Sequence, residues 1–422
     1  MQAKKKFVQV GVGARARMYY KAIARTYKDT SDILAFCDIN RSRLEYARKI
    51  LVDELGFHDV ALYGADEFEK MILEQKPDVV IVTSIDRTHH RYIIKAMEMG
   101  CDVITEKPMT MDAEKCQAIL DCVKRTGRSL RVGFNYRYAP HNTKVRELIR
   151  DGVIGDVKHV HFEWMLDTSH GADYFRRWHK DKRNSGGLLV HKSTHHFDLV
   201  NYWLGTSPKE VFSFSDLMFY GRANAEERGI TKFYLRSTGA ENAKGDPFAI
   251  DLTRDHDREL YYDAEKDDGY LRDLSVFGDG ASIEDTMSVL VKYNSGAIMS
   301  YSLTAYSPVE GFRVCFTGTK GRLVLYVNEK GGNDIESSGK SKYIVVYPMF
   351  GQSYEVEIPE GVGGHGGGDV VMLNDIFGVP QEDPFKRAAT HIDGAMSILT
   401  GIAANKSLAT GAPVRVKTLV EF

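Results

Sequence analysis

The sequence has no long apolar run and no excess of charge of one sign. No uninterrupted apolar segment approaches the roughly 18 residues that a membrane helix needs. The 422-residue chain carries a net charge of −2, and its lysines and arginines are dispersed. These absences argue against a membrane-spanning helix and against an electrostatic footprint for nucleic acid or an anionic membrane. We therefore expect neither kind of partner.

Cysteine is scarce, and no two cysteines form a CxxC pair. The five residues are widely spaced, so reduced, buried thiols are expected rather than disulfides or a zinc site. The first predicted strand begins by about residue 6 and leaves no room for a signal peptide. A cytoplasmic protein is therefore expected, unless a leader has been removed. The cysteines are Cys37, Cys101, Cys116, Cys122 and Cys315.

The first part of the chain alternates between two periodicities. A chain of 422 residues is too long for one ordinary core, so two domains are expected. Short β-rich runs such as 7–12 and 78–83 alternate with helix-compatible stretches over the first 130 or so residues. This alternation predicts βαβ units in an α/β domain, 1–135, built on a doubly wound parallel sheet.

Beyond about residue 150 apolar and polar residues alternate with a period of two. The pattern predicts a second, α+β domain, 136–422, with an open and mostly antiparallel sheet that is polar on one face. A polar segment at about 222–283 is expected to form an insertion or extended loops. A final helix at about 385–405 is expected to pack back on the first domain. The alternating segments are 157–164, 286–293 and 297–303.

A glycine-rich turn follows the first predicted strand. Residues 11–16, Gly-Val-Gly-Ala-Arg-Ala, fit G-x-G-x-x-G/A and open a predicted helix, and Asp38 ends the next predicted strand. Gly11 permits the tight turn, Gly13 lets the backbone approach a pyrophosphate, and the helix N-terminus offers unpaired N–H groups to the anion. The turn therefore predicts a dinucleotide site.

Asp38 bears on which dinucleotide is bound. Its carboxylate is expected to accept hydrogen bonds from the adenosine ribose hydroxyls, which favours NAD over NADP. Arg41 and Arg43 follow closely and could hold a 2′-phosphate, so NADP stays open.

Two polar segments stand where further parallel strands are predicted to end. They are 83–89 and Glu106-Lys107-Pro108, and ligands of open α/β sheets bind at this edge. A lysine held there by the following proline could hydrogen-bond a substrate hydroxyl and favour its alkoxide during hydride removal. The predicted cofactor contacts are Gly11, Gly13, Ala14, Arg15, Asp38, Arg43, Thr83, Ser84, His89, Glu106 and Lys107.

The order of these motifs resembles the Gfo/Idh/MocA oxidoreductase family. The likeness rests on the turn, the acidic strand end, the Thr-His-His and Glu-Lys-Pro motifs, and Gly133–Tyr138. It continues in 186–198, which is similar to that family's G-G-…-D-x-G-x-H-x-x-D helix, and in 318–321 and 403–411. The resemblance implies a Rossmann domain and a C-terminal domain whose open sheet often mediates homo-oligomerisation. It also implies sugar or polyol substrates.

Carried over by position, the resemblance assigns roles to particular residues. Lys107 is the lysine of the Glu-Lys-Pro motif, and His195 is the histidine usually assigned acid/base work. Asn135 and Arg137 fall in the strand that lines the substrate cleft. Where many members have an aspartate four residues before the histidine, this chain has His191.

This departure leaves two interpretations of His191 open. Residues 191, 195 and 198 share one face if they lie on one helix, so two imidazoles and a carboxylate would allow a proton relay. A metal site is the less favoured reading, because no further ligand is evident, and we predict no metal.

Two other segments are expected to contact substrate. Residues 168–179 are dense in polar and aromatic groups that suit a carbohydrate, and 363–369 is a glycine-rich loop that presents a histidine, although a solvated linker fits that loop equally well. The predicted substrate contacts are Asn135, Arg137, His170, Tyr174, Trp178 and His365.

Three functions follow from these expectations. The leading one is reversible, NAD(P)-dependent oxidation of a secondary hydroxyl on a sugar, polyol or sugar derivative, with His195 as acid/base and Lys107 stabilising the alkoxide. The second is glycoside cleavage through transient ring oxidation with a recycled cofactor, in which His191 would serve as a second base. The third is a non-catalytic, NAD-binding sensor.

Overall fold

Two β-sheets organise the chain, and the computed structural model describes residues 3–330 and 339–422. The strands are β1 (Lys5–Val10), β2 (Ser31–Asp38), β3 (Ala61–Gly64), β4 (Val79–Val82), β5 (Asp102–Thr105), β6 (Leu130–Val132), β7 (Val157–Asp167), β8 (Pro208–Asp216), β9 (Thr286–Tyr293), β10 (Ile298–Ser307), β11 (Gly311–Gly318), β12 (Gly321–Asn328), β13 (Lys342–Pro348), β14 (Tyr354–Val356), β15 (Ala389–Thr390) and β16 (Val414–Arg415). The α-helices are α1 (Arg17–Arg25), α2 (Arg41–Lys49), α3 (Phe68–Gln75), α4 (His89–Glu98), α5 (Ala113–Thr126), α6 (Pro140–Arg150), α7 (His170–Arg176), α8 (Lys182–Ser185), α9 (Leu188–His191), α10 (Ser193–Leu204), α11 (Arg222–Glu227), α12 (Asp255–Asp257), α13 (Glu265–Asp268), α14 (Gly368–Phe377) and α15 (His391–Thr410).

The first sheet is the predicted doubly wound, Rossmann-type sheet. Its strand order within the described ranges is β15-β6-β5-β4-β1-β2-β3, and β1 to β6 are parallel. All four residues of β4 are buried, as expected for a parallel strand covered by helices on both faces. The chain order reverses between β1 and β4, and ligands of such sheets bind beside this point. The predicted fold class is confirmed.

Some element boundaries differ from the prediction. The helix predicted to open at the glycine turn begins with a 3₁₀ turn, Ala14–Ala16, and the strand expected to include Asn135 and Arg137 ends at Val132. Phe134 leaves the extended conformation, and the chain enters a 3₁₀ turn, Asn135–Tyr138, ahead of the proline that begins α6. The prediction that Asn135 and Arg137 lie in a strand is therefore wrong.

The second sheet is open and mostly antiparallel, as predicted. In the described part of the chain its order is β14-β13-β12-β11-β7-β10-β9-β8-β16, and only β7 and β10 pair in parallel. Alternation along β7 buries Phe162 and Trp164, whereas His161 and Glu163 are exposed. The sheet therefore has one packed face and one polar face.

The C-terminal helix joins the two sheets. A capping box between Thr390 and Asp393 starts α15 at His391, later than the predicted residue 385. A Cβ on Gly394 would lie 2.8 Å from Val132 of β6, so the helix packs tightly on the first sheet. Just before it, β15 pairs antiparallel with β6.

The polar segment between β8 and β9 forms an insertion that includes α11 to α13. Part of it folds against the first domain, where Leu252, Leu260 and Tyr261 join one hydrophobic cluster with residues of α1 and α2. All five cysteines are buried and free. No described helix is both long and apolar enough to span a membrane.

Candidate active site

The glycine turn has the shape that a dinucleotide requires. Gly11 has φ +83°, and a Cβ there would lie 2.5 Å from the backbone nitrogen of Ser84. Thr83 holds the same turn from the next strand, because its hydroxyl donates to the carbonyl oxygen of Gly11 over 2.5 Å. A Cβ on Gly13 would meet no described atom within 4 Å, so open space lies in front of that residue. The turn thus fits a pyrophosphate.

The Asp38 carboxylate lies beside this turn. Its Oδ2 accepts a hydrogen bond from the Val12 N–H over 2.7 Å, and its Oδ1 accepts one from the Asn40 N–H over 2.8 Å. Burial raises the pKa of Asp38, and the two backbone hydrogen bonds oppose that rise. Each oxygen keeps a lone pair for a ribose hydroxyl.

The insertion lies over the glycine turn and the start of α2. The Tyr261 hydroxyl lies 3.3 Å from the Ala14 nitrogen, and the Asn40 side chain donates to the Ala264 carbonyl over 2.8 Å. The backbone N–H of Ser42 donates to a carboxylate in α13 over 2.6 Å. These contacts join residues more than 220 positions apart and form a wall over the predicted cofactor site.

This wall also engages the arginines that the sequence offered for a 2′-phosphate. Arg43 donates to Asp268 over 2.7 Å and lies between the rings of Tyr261 and Tyr270. Arg41 pairs instead with Glu45 on its own helix. Both guanidinium groups thus form ion pairs with carboxylates, while Nη2 of Arg43 has no hydrogen-bond partner among the described residues.

Other predicted cofactor residues have mainly internal partners. Arg15 donates to Glu106 over 2.7 Å, and Tyr19 donates to the same carboxylate oxygen over 2.8 Å. The two ring nitrogens of His89 lie 2.9 Å from the carbonyl oxygens of Pro108 and Ser84. These side chains connect the ends of β4 and β5 and shape the edge of the sheet.

Lys107 and His191 meet between the two domains. The Lys107 ammonium donates to the backbone oxygen of His191 over 3.2 Å. The ring Nδ1 of His191 lies 2.5 Å from Oδ2 of Asp86, a residue that follows β4. Burial lowers the pKa of Lys107, and the charge of Asp86 opposes that shift. Burial likewise lowers the pKa of His191 and raises that of Asp86.

The side chain of His195 lies near this pair and forms no hydrogen bond with any residue that the structure describes. It is 4% exposed, its ring is 4.9 Å from that of Tyr136, and its buried Nδ1 has no partner among the described residues. Burial lowers the pKa of His195 well below its ordinary value, and the ammonium charges of Lys107 and Lys192 lower it further. His195 is therefore neutral near pH 7 and able to accept a proton.

The glycine-rich loop borders the same cleft. His365 Nδ1 lies 2.9 Å from Asp369, which accepts a hydrogen bond from Asn135 over 2.6 Å. Burial would raise the pKa of Asp369, but the hydrogen bond from His365 and the charge of Arg15 hold it below its ordinary range. The His365 ring is 5.2 Å from that of Tyr136.

The segment 168–179 forms the facing wall. His170 lies 2.8 Å from Glu310 and 3.0 Å from the Tyr174 hydroxyl. The Tyr174 ring is 5.5 Å from that of His191, and Trp178 stacks on His179. His170 and His365 each expose about a third of their side chains, so they lie at the mouth of the cleft.

Arg137 does not lie free in the cleft. It is 2% exposed and donates twice to Asp198 and once to Asp393, over 2.5 to 2.9 Å. The reading that puts residues 191, 195 and 198 on one helical face is also wrong, because α9 ends at His191 and a new helix begins at Ser193. Asp198 is thereby paired with Arg137 rather than with a histidine. No cluster of metal-ligating side chains occurs in the described ranges.

Several site residues were missed from the sequence. Asp86 stands in a segment that was recognised, but no local signal shows its contact with His191. Lys192 is 3% exposed, and nothing in the residues around it in the sequence indicates that it is buried. Tyr261 and Asp268 lie in the polar insertion, whose composition resembles that of a solvated loop.

Two family models match the chain. One, described as the oxidoreductase family NAD-binding Rossmann fold, matches 5–134, and the other, the oxidoreductase family C-terminal alpha/beta domain, matches 146–416. A relative from Bacillus subtilis strain 168, which bears the name putative oxidoreductase YteT, is 35% identical, and the match covers 99% of each chain. D-glucoside 3-dehydrogenase of Escherichia coli K12 is 30% identical over 46% of this chain and 53% of its own.

A solved structure has the same fold. The oxidoreductase of Agrobacterium radiobacter, in complex with NAD+, L-tartaric acid and magnesium, has a TM-score of 0.65 at 14% identity. The likeness covers 99% of this chain and 100% of that one.

Proposed function

The chain belongs to the Gfo/Idh/MocA oxidoreductase family and is an NAD(P)-dependent oxidoreductase; on that premise we propose that it oxidises a secondary hydroxyl of a sugar, polyol or sugar derivative. The observation that carries the proposal is the meeting of two groups in one cleft. His195 is a buried, neutral base without a partner among the described residues, and Lys107 is a cation close enough to depress its pKa.

Each residue has a distinct chemical role. A bound nicotinamide dinucleotide supplies the hydride acceptor. His195 accepts the hydroxyl proton through a ring nitrogen, and Lys107 donates a hydrogen bond to the same oxygen as negative charge develops on it. The neutral state of His195 comes from its burial and from the nearby ammonium groups. In the reverse direction the protonated imidazole returns the proton.

The cofactor in this proposal is NAD. Asp38 offers its free lone pairs to the ribose hydroxyls, and a 2′-phosphate would place negative charge beside that carboxylate. Arg43 could otherwise pair with such a phosphate, but it already forms an ion pair with Asp268. Equilibrium binding of NAD+ and NADP+ tests this preference, and tighter binding of NADP+ would contradict it.

Turnover of a sugar panel tests the proposed chemistry. We would follow absorbance at 340 nm with NAD+ and sugars, polyols and aryl glycosides, and compare Lys107→Met and His195→Asn with the wild type. Loss of an acid/base group typically costs about 10²- to 10⁴-fold in rate. His159→Asn, at an exposed position on β7, is the matched control and should be unaffected. Unchanged turnover in Lys107→Met would contradict the role proposed for Lys107, and no turnover of any sugar, polyol or glycoside by the wild type would favour the non-catalytic alternative.

A second candidate function is redox-neutral glycoside cleavage, and the Asp86–His191 contact favours it. Oxidation of a ring hydroxyl acidifies the C–H bond next to the new carbonyl. A second base, His191, would remove that proton as the glycosidic C–O bond breaks, after which water adds and the ketone is reduced again. The insertion over Asn40 and Ser42 would keep the cofactor in place through the cycle.

Cofactor balance distinguishes the two functions. If the second function holds, purified protein retains NAD through gel filtration and cleaves aryl glycosides without net NADH. Asp86→Asn would then slow cleavage more than it slows oxidation of a free sugar. Steady accumulation of one NADH per product would exclude the redox-neutral cycle.

A further inference from the structure

One nearly buried lysine in the cleft has no anion beside its ammonium group in the described part of the chain. Lys192 lies between α9 and α10 and is 3% exposed. Within the described ranges its Nζ forms no hydrogen bond and no ion pair. It lies instead 5.0 Å from the centre of the Trp164 ring and 5.7 Å from that of Tyr136. Aromatic faces attract a cation but do not replace the hydrogen bonds that an ammonium makes in water.

The other buried cations show what is unusual here. Among the described residues, the buried lysines and arginines are Lys192, Arg43, Arg137 and Arg176. Each of the three arginines has a carboxylate within 4 Å, whereas no described carboxylate lies that close to Lys192. Burying an unpaired charge is costly, so proteins pair such groups or keep them for a ligand.

The two carboxylates whose charges act on Lys192 form hydrogen bonds with other residues. Glu310 lies 2.8 Å from His170 and accepts a hydrogen bond from the Asp167 N–H over 2.6 Å. Glu329 accepts one from the Tyr136 hydroxyl over 2.7 Å. Burial lowers the pKa of Lys192 and the charges of Glu329 and Glu310 oppose that shift, but neither glutamate reaches ion-pair distance. Among the described residues none accepts a hydrogen bond from the Lys192 ammonium, so its three N–H donors face the cleft without a protein partner there.

We infer that the substrate carries a carboxylate group, which Lys192 binds through its ammonium when the substrate occupies the cleft. This inference rests on the proposed function, because the same substrate must present its hydroxyl to His195. The Tyr136 ring lies 5.7 Å from the Lys192 ammonium and 4.9 Å from the His195 ring, so the two groups are close enough to hold two ends of one sugar-sized molecule. The ligand class is therefore an acidic sugar, such as a hexuronic acid or its glycoside.

A single ammonium suits a monoanion better than a phosphate ester. Phosphate sites usually combine an arginine, or several backbone N–H groups, with a lysine. Lys192 is flanked by two aromatic rings and by the charges of Glu310 and Glu329, which would repel a dianion. A carboxylate needs only one strong hydrogen-bond donor, and it places less negative charge near those glutamates than a phosphate dianion does.

The test uses matched pairs that differ only in the carboxylate. The probes are the methyl glycosides of glucose, galactose and mannose and the corresponding methyl hexuronides, assayed with the NAD-loaded full chain. A charge-assisted hydrogen bond corresponds to about 10- to 150-fold, so kcat/KM should favour one hexuronide over its neutral partner by that factor. In Lys192→Met the preference should fall towards one, mainly through KM. Lys192→Arg should keep part of it.

Two controls separate a lost contact from a damaged fold. Lys209→Met removes an exposed lysine on β8 and should leave the preference unchanged. Melting temperature and NAD+ affinity of Lys192→Met show whether the protein still folds. The acid limb of the pH profile should also move to higher pH in Lys192→Met, because a positive charge near His195 is lost.

Binding decides the inference even if no sugar is oxidised. Calorimetric titration of the NAD-loaded protein should give tighter binding of a hexuronide than of its neutral partner, and Lys192→Met should abolish the difference. If hexuronides bind in this way but are not oxidised, the proposed function fails and the carboxylate site stands. Equal binding of both partners, an unchanged preference in Lys192→Met, or no binding of any hexuronide would overturn the inference.

Discussion

The two glycines of the dinucleotide turn should respond oppositely to one added methyl group. Gly11 has φ +83°, and a Cβ would lie 2.5 to 2.6 Å from the backbone of Thr83 and Ser84. A left-handed conformation costs a non-glycine residue about 1–2 kcal/mol, and an overpacked site adds about 1–3 kcal/mol. Gly11→Ala should therefore lower the free energy of unfolding by about 2–5 kcal/mol.

Gly13→Ala is the matched comparison. Gly13 has φ −70° and ψ −171°, which any residue adopts, and its Cβ would enter open space. The change should leave the free energy of unfolding within about 0.5 kcal/mol of the wild type. The methyl group would, however, occupy the approach of the pyrophosphate, and a clash of about 1–3 kcal/mol weakens NAD+ binding roughly 5- to 150-fold.

Urea denaturation and calorimetric titration with NAD+ measure the two effects separately. Gly11→Ala should lower the free energy of unfolding, whereas Gly13→Ala should lower NAD+ affinity alone. Equal loss of stability in both variants, or full NAD+ affinity in Gly13→Ala, would refute the assignment of this turn to the pyrophosphate.

Three further predictions concern pH, stability and assembly. Because burial lowers the pKa of His195 below its ordinary 6.5, kcat/KM should persist below pH 6.5 and fall only as pH drops through that lowered value. Because burial also lowers the pKa of Lys107 from 10.5, kcat/KM should fall on the alkaline side before pH 10.5 is reached. A dependence of kcat/KM on pH that shows the ordinary pKa values of histidine and lysine would contradict both shifts. Arg137→Met leaves Asp198 buried without its partner, so the free energy of unfolding should fall by about 3–5 kcal/mol. An unchanged midpoint of urea denaturation would contradict the structural role of the pair. Phe214 and Leu290 on the open sheet are 70% and 53% exposed, so we expect the protein to form a homo-oligomer through this surface. Light scattering should show that Leu290→Lys weakens the oligomer. A monomeric wild type would contradict this expectation.

The sequence predicted those features that neighbouring residues determine. The turn at Gly11 and Gly13 lies within a few positions of the strand and helix that it joins, and Asp38 ends the adjacent strand. Their physical requirements are local, so spacing alone was sufficient. The alternation that distinguishes the two sheets was likewise visible over short windows.

The remaining features depend on contacts between distant segments. The Asp86–His191 pair joins residues 105 positions apart, and the Tyr261–Ala14 contact joins residues 247 positions apart. No periodicity reports such a contact. Arg137 was assigned to the cleft because a motif placed it there, but the chain leaves β6 early and turns the guanidinium towards Asp198.

Direct transfer of a hydrogen atom from substrate to cofactor tests the central claim most directly. Single turnover of the NAD-loaded protein, with sugars and hexuronides deuterated at each secondary carbinol carbon, would be followed by mass spectrometry of the nicotinamide. The account predicts deuterium on the nicotinamide for one labelled position, and a loss of transfer in His195→Asn with NAD+ still bound. Substrate conversion with no deuterium reaching the cofactor would contradict hydride transfer at this site.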